Sequence, residues 1–345
     1  MKNVGILGFG IMGGIRARAI EAVGLGVVSK VFDPSVNGGS YNQAETMDEV
    51  IEDPNIDCIF ICLPNYLIKE TILKCLRNNK HIFCEKPPAM NMSDMNIIAE
   101  AYRNSKNTLM YGFNHRRHSG VIKMKELVSS GQYGRILWMR GRYGKSVDSN
   151  YITGWRANKE LAGGGILLDQ GIHMLDLFLH MAETDFDEVH ALVSNLYWKT
   201  DGIEDNVFAM LRNKETGLCA QLHSTMTQWR HLFSLEVFLE SGYMVLNGLK
   251  TNSGTYGNED LVVAKNRSQA PAATWEDEEK FSFPVDQSWE KEVSEFFEVI
   301  EGKRPQMHGT VDNALKLMHL VDRVYENDLE TSNDRKEKLS QLTSI

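Results

Sequence analysis

The sequence has few cysteines, and their number is odd, with five in 345 residues. Most of them lie in apolar runs, which favours buried, reduced thiols over disulfides. Cys58 and Cys62 lie four apart in a segment with the composition of a strand, and no cluster of Cys or His follows them. Because this spacing gives no zinc-type pair, no metal site is expected.

Positive charge is also in short supply, with 37 Lys and Arg against 46 Asp and Glu and a formal net charge of −9. Nucleic acid and anionic membrane are therefore not expected as partners. No apolar stretch reaches the length of a transmembrane helix, and the apolar start is broken by glycines from Gly8 onward and then by Arg16. With no small-residue cleavage site, the sequence predicts a cytoplasmic protein.

Short apolar runs alternate with amphipathic helical patterns in residues 1–120. The predicted strands are Val4–Leu7, Gly26–Phe32, Cys58–Leu63, His81–Cys84 and Thr108–Tyr111, and the predicted helices are Met12–Val23, Thr46–Glu52, Leu67–Asn78 and Ser93–Arg103. Such alternation with nearly all-apolar strands predicts an α/β domain whose doubly wound parallel sheet is covered on both faces.

A different rhythm follows in residues 121–330, which we assign to a second domain. The strand-like runs are Val189–Trp198, Val207–Arg212, Leu218–Thr225, Leu235–Leu239 and Tyr243–Leu246, with no helices between them. Since parallel crossovers need such helices, the pattern predicts an α+β domain with a large, mostly antiparallel sheet. Residues 331–345 are polar and are predicted to form a loosely packed tail.

A glycine-rich turn follows the first strand, where Gly8, Gly10 and Gly13 match the pattern G-x-G-x-x-G. After a strand and before a helix, this pattern is typical of a Rossmann dinucleotide site. Its glycines allow a tight turn, close approach of the pyrophosphate and helix–strand packing. The backbone N–H groups of Ile11 and Met12 would meet the phosphates at the positive end of the helix.

Asp33 ends the second predicted strand. A carboxylate there can accept hydrogen bonds from the ribose hydroxyls and would repel a 2′-phosphate, which favours NAD over NADP. The alternative is a turn aspartate before Pro34, which is also a common role.

Asp169 and His173 lie four apart after the glycine run Gly163 to Gly165. On a helix they would share one face, and a histidine with a carboxylate one turn away can transfer protons near neutral pH. We expect the glycines to bring the backbone close to a bound molecule and to let this loop close over it. A histidine satisfied at a helix start is the alternative.

Glu85-Lys86-Pro87 follows the fourth strand. With the glycine turn and the Asp169/His173 element in this order and spacing, residues from 1 to about 325 resemble the Gfo/Idh/MocA family of NAD(P)-dependent sugar and cyclitol oxidoreductases. The resemblance implies that Lys86 contacts the reacting hydroxyl and the nicotinamide ribose. It implies that His173 transfers the proton and that Asp169 orients the substrate or the histidine.

The resemblance also implies that Leu63, Pro64 and Asn65 line the cofactor and that Glu85 lies near the nicotinamide ribose. Ile68 departs from the family pattern, which often has a histidine at that position. For Lys86 the alternative is a surface lysine after a strand.

Candidate substrate contacts are Asn114 and Arg116 after the fifth strand and Trp155 and Arg156 before the glycine run. The carboxyl ends of the strands of an open α/β sheet border its ligand crevice, and tryptophan and arginine suit a sugar face and an anion or hydroxyl. A basic solvated loop and a half-buried loop anchor are the respective alternatives.

These features predict an oxidoreductase that transfers a hydride between a nicotinamide cofactor, NAD before NADP, and a hydroxyl or keto carbon of a sugar, amino sugar or cyclitol, including acidic or nucleotide-linked ones. The alternatives are a glycosidase of this fold that retains NAD and a non-catalytic dinucleotide-binding sensor. The resemblance also implies a homodimer or homotetramer built through the C-terminal sheet.

Overall fold

The computed structural model describes residues 1–267 and 274–328, so the predicted polar tail 331–345 lies outside the described residues. The chain forms two compact units. The first comprises residues 1–117, 160–163 and 287–318. Of the described residues, the second comprises 118–159, 164–267, 274–286 and 319–328.

In the N-terminal part the elements are β1 (Lys2–Leu7), α1 (Ile11–Val23), β2 (Gly26–Phe32), α2 (Met47–Ile51), β3 (Cys58–Ile61), α3 (Asn65–Arg77), β4 (His81–Glu85), α4 (Met92–Arg103) and β5 (Leu109–Gly112). They continue with α5 (Ser119–Ser129), β6 (Ile136–Ser146), α6 (Lys159–Ala162), α7 (Ile172–Ala182), β7 (Glu188–Ser194), β8 (Asn206–Arg212) and β9 (Cys219–Thr225). The remaining elements are β10 (Thr227–Leu239), β11 (Gly242–Asn247), β12 (Glu259–Lys265), β13 (Glu279–Phe283), α8 (Ser288–Ile300) and α9 (Val311–Glu326).

The sheet of the first unit has the strand order β2-β1-β3-β4-β5, and all of its pairs are parallel. This confirms the predicted doubly wound α/β class. The order reverses between β1 and β3, which is where open α/β sheets bind ligands beyond the carboxyl ends of the strands. The glycine turn follows β1 and Leu63 to Asn65 follow β3, so both predicted cofactor segments lie at this switch point.

Aromatic packing joins α8 to the sheet of the first unit. Phe60 on β3 stacks on Phe83 of β4 at a centroid distance of 4.8 Å. Phe296 of α8 meets these two rings edge-on, at 5.3 Å and 5.6 Å. A helix from the C-terminal part of the chain therefore completes the core of the N-terminal sheet.

One arginine is fully buried in this core. The Nε of Arg16 on α1 donates to Glu85 Oε1 at 2.6 Å, and its Nη2 donates to Glu292 Oε2 at 2.7 Å. The guanidinium also lies 4.4 Å from the Phe83 ring centroid and 4.7 Å from that of Trp289. Burial alone would lower the pKa of Arg16, but the two carboxylates outweigh it and raise the pKa, so the residue stays charged.

The sheet of the second unit has the order β13-β12-β11-β10-β6-β9-β8-β7. Its pairs are antiparallel except for β6 with β9, which are parallel, and this confirms the predicted mostly antiparallel sheet. The predicted strands from Val189 to Leu246 are recovered as β7 to β11, whereas β12 and β13 were not predicted.

Helix α7 covers one face of this second sheet. It comes close at Gly141 on β6, where an added Cβ would lie 2.3 Å from Met174 Cγ and 2.8 Å from Phe178 Cζ. The opposite face carries exposed apolar side chains, among them Phe208 and Met210 on β8, which are 41% and 51% exposed. On the same face Trp138 of β6 stacks on Phe238 of β10 at 4.0 Å.

Within residues 1–267 and 274–328, no helix combines the length and the apolar character needed to cross a bilayer.

The buried ion pairs of Arg16 give a stability prediction. We expect Arg16→Met to lower the free energy of unfolding by about 3–5 kcal/mol, because two buried carboxylates lose their common counter-ion. Arg18→Met, a change of an exposed arginine on the same helix, should stay within about 0.5 kcal/mol of the wild type. Urea unfolding measures both, and equal stabilities for the two variants would contradict the assignment.

Candidate active site

The three glycines of the turn after β1 differ in what a side chain would meet at each position. Gly8 has φ +85°, and a Cβ there would lie 2.4 Å from the carbonyl oxygen of Cys62. A Cβ at Gly13 would lie 2.1 Å from the carbonyl oxygen of Gly8. A Cβ at Gly10 would meet nothing within 4 Å. Gly8 and Gly13 therefore serve the turn and the helix–strand packing, whereas Gly10 leaves open space beside the backbone.

The N-terminus of α1 borders that open space. Gly10 is its N-cap residue, no side chain caps the helix, and the Ile11 side chain is exposed. The first N–H groups of a 13-residue helix thus lack a side-chain acceptor at an end that favours anions. The residues at this helix start therefore fit a dinucleotide pyrophosphate.

Asp33 follows β2 and is bound to two segments. Its Oδ2 accepts a hydrogen bond from Phe9 N in the glycine turn at 2.8 Å. Its Oδ1 accepts from Ser35 N and Val36 N, at 2.8 Å and 2.9 Å. The turn role that the sequence left open is therefore real, and the same carboxylate also supports the glycine turn.

The segments after β3 and β4 carry the next predicted residues. Asn65 begins α3 after Pro64, and its Nδ2 donates to the carbonyl oxygen of Ala162 at 2.8 Å. Lys86 follows Glu85 at the carboxyl end of β4 and is partly exposed. Glu85 is buried against Arg16, so its carboxylate already serves the core of the first unit.

Asn114 and Arg116, predicted to contact substrate, are buried within the first unit after β5. Asn114 Nδ2 donates to Ser288 Oγ at 3.1 Å, and Arg116 Nη1 donates to Asn313 Oδ1 at 3.2 Å. Both side chains thus connect the segment after β5 to the C-terminal helices of this unit. The sequence did not indicate this structural use.

The glycines before the Asp169/His173 element approach the protein itself. A Cβ at Gly164 would lie 2.2 Å from the Tyr325 hydroxyl, and one at Gly165 would lie 2.1 Å from the carbonyl oxygen of Glu204. The Glu204 carboxylate accepts from Gly165 N at 2.8 Å and Leu167 N at 2.9 Å. These two glycines are therefore explained by packing within the second unit, which corrects the expectation of a loop that closes over a bound molecule.

Asp169 and His173 lie on one continuous helical stretch, as the spacing predicts. Residues Leu167–Gly171 form a π-helical turn, and α7 continues directly from it. Such π-helical turns occur frequently at functional sites. His173 is buried in the first turn of α7, with its ring 6.1 Å from that of Tyr143 on β6.

Three cationic or phenolic groups surround the Asp169 carboxylate. Asp169 Oδ2 accepts from Lys145 Nζ at 2.8 Å and from the Tyr151 hydroxyl at 3.1 Å. Arg156 Nε lies 3.9 Å from Oδ1. Trp155 is half-buried, and the Arg156 guanidinium lies 4.4 Å from its ring centroid. The structure therefore brings Asp169 and Arg156 together within the second unit.

Lys145 and Tyr151 were missed by the sequence analysis. Lys145 is the fourth member of the β6 set Met139, Gly141, Tyr143 and Lys145, which alternates along one face and whose first three members are buried. A lysine at that position of a buried face is a detectable signal. Tyr151 carries no such signal, because it lies in a short 3₁₀ turn, Tyr151–Thr153.

The cysteines do not form a reactive centre. All five are free, and burial raises the pKa values of the Cys58, Cys62 and Cys75 thiols. A thiol is a weak nucleophile when its ionisation is suppressed in this way. In the two described ranges, no group of three or more His, Cys, Asp or Glu side chains is arranged to hold a metal ion.

Two family models match the chain in succession. The model described as the oxidoreductase family, NAD-binding Rossmann fold, matches residues 2–113. The model described as the GFO/IDH/MocA C-terminal domain matches residues 121–245. The resemblance inferred from the three motifs is thereby confirmed, as is the NAD-type cofactor.

Curated relatives and solved structures point in the same direction. The 1,5-anhydro-D-fructose reductase of Ensifer adhaerens is 27% identical over 82% of this chain and 83% of its own length. The 2,7-anhydro-N-acetylneuraminate hydratase of Escherichia coli K12 is 27% identical over 72% of this chain and 66% of its own. A structure of levoglucosan dehydrogenase with NADH and levoglucosan matches with TM-score 0.83 and 22% identity over 95% of this chain and 97% of that one, which shows a shared fold.

The different surroundings of the turn glycines can be tested by substitution. We expect Gly10→Ala to raise the Kd for NADH by at least about tenfold, because its methyl group enters the space open to the pyrophosphate. Its free energy of unfolding should change by at most about 1 kcal/mol, the scale of an N-cap substitution. Fluorescence titration with NADH and urea unfolding measure the two quantities.

Gly13→Ala is the steric control for that experiment. Its Cβ collides with the carbonyl oxygen of Gly8, so it should lower the free energy of unfolding by more than Gly10→Ala. A Gly10→Ala protein with wild-type NADH affinity would show that no phosphate approaches this position.

Proposed function

The chain belongs to the Gfo/Idh/MocA family of oxidoreductases, and on that premise we propose that it transfers a hydride between NAD and a hydroxyl or keto carbon of a carbohydrate-like substrate. The sugar, amino sugar or cyclitol class is supported by the curated relatives, whose names specify sugar derivatives. The observation that carries the proposal is the Asp169/His173 helix start with its ordered surroundings in the second unit, together with a glycine turn in the first unit that leaves room for a pyrophosphate.

His173 is assigned the proton transfer. When bound, the nicotinamide ring supplies the hydride acceptor or donor. Oxidation of a carbinol also releases the hydroxyl proton, and a neutral imidazole at His173 would accept it. In the opposite direction, the protonated His173 would return that proton to the new hydroxyl.

Lys86 is assigned the stabilisation of the negative charge that develops on the substrate oxygen. As its hydroxyl proton leaves, the substrate oxygen gains alkoxide character, and an ammonium group directed at it stabilises that charge. Asp169 is assigned the orientation of the substrate or of His173. These assignments rest on the family motifs, with the packing around Asp169 and His173 as support.

The cofactor would be held by the elements at the switch point of the first sheet. Gly8, Gly10 and Gly13 with the N–H groups of Ile11 and Met12 would bind the pyrophosphate. Asp33 would accept from the ribose hydroxyls, which favours NAD over NADP. Leu63, Pro64 and Asn65 would line the nicotinamide half, with Glu85 and Lys86 beside its ribose.

For the substrate, Trp155 and Arg156 are the stronger of the four predicted contacts. Arg156 lies beside Asp169 and is 44% exposed, so it can reach a hydroxyl or an anionic group, and the Trp155 ring lies against its guanidinium. Asn114 and Arg116 are buried and bonded to other side chains of the first unit. They could contact a substrate only if those side chains rearranged.

A second candidate function is a reaction without net redox change, such as glycoside cleavage with retained NAD. A relative named as a hydratase supports keeping it in view. A non-catalytic sensor is disfavoured, because Lys86, Asp169 and His173 are all present and a sensor has no need of all three.

A sugar panel with and without the proposed catalytic residues tests the function. The panel contains free sugars, 1,5-anhydro sugars, amino sugars, sugar acids and cyclitols, and NADH formation or consumption is followed at 340 nm. At least one class should show turnover. On that substrate His173→Ala should lower kcat/KM by about 10²–10⁴, and Lys86→Ala by about 10²–10³.

The control for general damage is His190→Ala, which changes an exposed histidine on β7 and should leave kcat/KM unchanged. Near-normal turnover of His173→Ala or of Lys86→Ala would contradict the catalytic role assigned to that residue. Cleavage of a glycoside with no net change in NADH would favour the second candidate function.

We also propose that the exposed face of the second sheet joins two copies of the chain. The stacked pairs Trp138 with Phe238 and Phe208 with His223 lie on that face, and Met210 lies beside them. Broad exposed apolar faces of this kind mark interaction surfaces. The face can meet a copy of itself about a two-fold axis, giving a homodimer or a homotetramer.

Charges placed on the centre of this face should prevent the association. We expect the wild type to sediment as a dimer or tetramer and Phe208→Asp with Met210→Asp to sediment as a smaller species, because each buried charge costs several kcal/mol. Met307→Asp is the control, a methionine of the first unit that is 61% exposed. A wild type that sediments as a monomer at micromolar concentration would refute the proposed interface.

A further inference from the structure

The strongest unassigned feature is the ion pair between Lys145 and Asp169. Lys145 Nζ donates to Asp169 Oδ2 at 2.8 Å, and the side chains are 21% and 12% exposed. The Tyr151 hydroxyl donates to the same oxygen at 3.1 Å. The partners of this mostly buried carboxylate thus include one ammonium and one phenol, and the Gln170 side-chain amide donates to the same oxygen at 3.4 Å.

Lys145 lies against the Tyr151 ring and faces an irregular part of the neighbouring strand β10. Its Nζ lies 4.7 Å from the Tyr151 ring centroid, within the range of a cation–π contact. It follows Gly144 on β6, opposite the irregular part of β10 between Thr227 and Leu232. His231 lies in that part, and burial, followed by the Lys145 charge, lowers the pKa of His231.

We infer that Lys145 is a positioning residue for the reaction, which holds the Asp169 carboxylate ionised and in one orientation beside His173. This inference rests on the proposed function, since it gives Asp169 and His173 their proposed roles. Lys145 itself need not contact substrate, cofactor or the reacting atoms.

Arg156 cannot replace Lys145 in this role. Its Nε lies 3.9 Å from Asp169 Oδ1, beyond hydrogen-bond distance, and its side chain is 44% exposed. Attraction between charges weakens with distance and with access to water. Lys145 is therefore the main counter-ion of Asp169 among these groups, and Arg156 remains available for substrate.

Other titratable groups also face Asp169 from the elements packed around it. The phenols of Tyr143, Tyr151 and Tyr256 stay neutral near neutral pH. Burial, with a smaller contribution from the Asp169 charge, raises their pKa values. Glu204 lies beneath the π-helical turn, and burial raises its pKa as well. His173 on α7 and His231 beside Lys145 are two further titratable groups of this region.

The test compares pH profiles of kcat/KM for the wild type and Lys145→Met. A nearby cation favours the ionised carboxylate, so its removal makes protonation of Asp169 easier. Oxidation needs both an ionised Asp169 and a neutral His173, so activity is lost as the pH falls. Loss of the cation favours the protonated form of both groups, and the acid limb should therefore move upward by about one pH unit. An acid limb that coincides with the wild type would overturn the inference.

Two further variants separate charge from packing. Lys145→Arg keeps the cation and should restore the acid limb to the wild-type position. Tyr151→Phe removes a hydrogen bond to the carboxylate without removing the cation and should move the acid limb upward by less than Lys145→Met does. Lys123→Met, at a lysine 3.7 Å from Glu126 on α5 of the same unit, is the control for loss of a lysine and should match the wild type.

A double variant and a measurement without substrate complete the test. If Lys145 acts through Asp169, then adding Lys145→Met to Asp169→Asn should cause no further loss of kcat/KM, and additive losses would contradict this. In the apo-protein, the Tm of Lys145→Arg should fall more steeply on acidification than that of Lys145→Met, because a carboxylate held ionised by a cation stabilises the folded state only until it is protonated. Identical Tm profiles would count against the inference even if the variant were inactive.

Failure of this inference is distinguishable from failure of the proposed function. An active His173→Ala protein would overturn the proposed function. An inactive His173→Ala protein with an unmoved acid limb in Lys145→Met would overturn only the role of Lys145.

Discussion

A single guanidinium without access to water organises the first unit. Arg16 binds Glu85 at the end of β4 and Glu292 on α8, and it lies on the helix that begins at the glycine turn. Only an arrangement that brings all three elements together gives this buried charge its partners. The glycine turn, the position of Lys86 after β4 and the attachment of α8 therefore depend on one shared constraint. Buried ion pairs often add little net stability, but leaving one charge without its partner is costly.

The second unit uses a buried carboxylate in a comparable way. Glu204 accepts hydrogen bonds from Gly165 N, Leu167 N and the Tyr325 hydroxyl. These bonds fix the start of the helical stretch that carries Asp169 and His173. In each unit, then, the segment with the proposed chemistry is anchored by a buried polar group that itself has no assigned part in the reaction. This arrangement suits a reaction that needs groups held in place before substrate binds.

Local patterns were sufficient to predict much of the fold and part of the site. The strand–helix alternation of the first domain and the glycine turn depend on nearby residues, and the structure confirms the predicted parallel sheet. The attachment of α8 to the first unit depends on contacts between residues far apart in the chain, such as Phe296 with Phe60. An amphipathic pattern predicts that α8 is a helix with one buried face, but not which sheet that face packs against. Strand β12 was missed because its apolar run, Leu261 to Ala264, is only four residues long and borders a polar segment, and β13 alternates charged or polar residues with only two phenylalanines.

The candidate site shows the same division. The turn at Gly8 and the close packing at Gly13 follow from backbone sterics and are seen in the structure, whereas Gly164 and Gly165 were assigned to a bound molecule and instead pack against Tyr325 and Glu204. Lys145 was missed because its partner, Asp169, is 24 residues away. Sequence spacing along one helix cannot reveal a counter-ion that comes from a strand.

The central claim is that this chain moves a hydride between NAD and one carbon of a carbohydrate-like substrate. The most direct measurement uses a substrate from the active class, deuterated at the reacting carbon, and follows the label by mass spectrometry. The account predicts one deuterium in each NADH formed and a primary isotope effect on kcat/KM that persists in Lys145→Arg. Product formation with no net NADH and with the label retained or lost to water would contradict it.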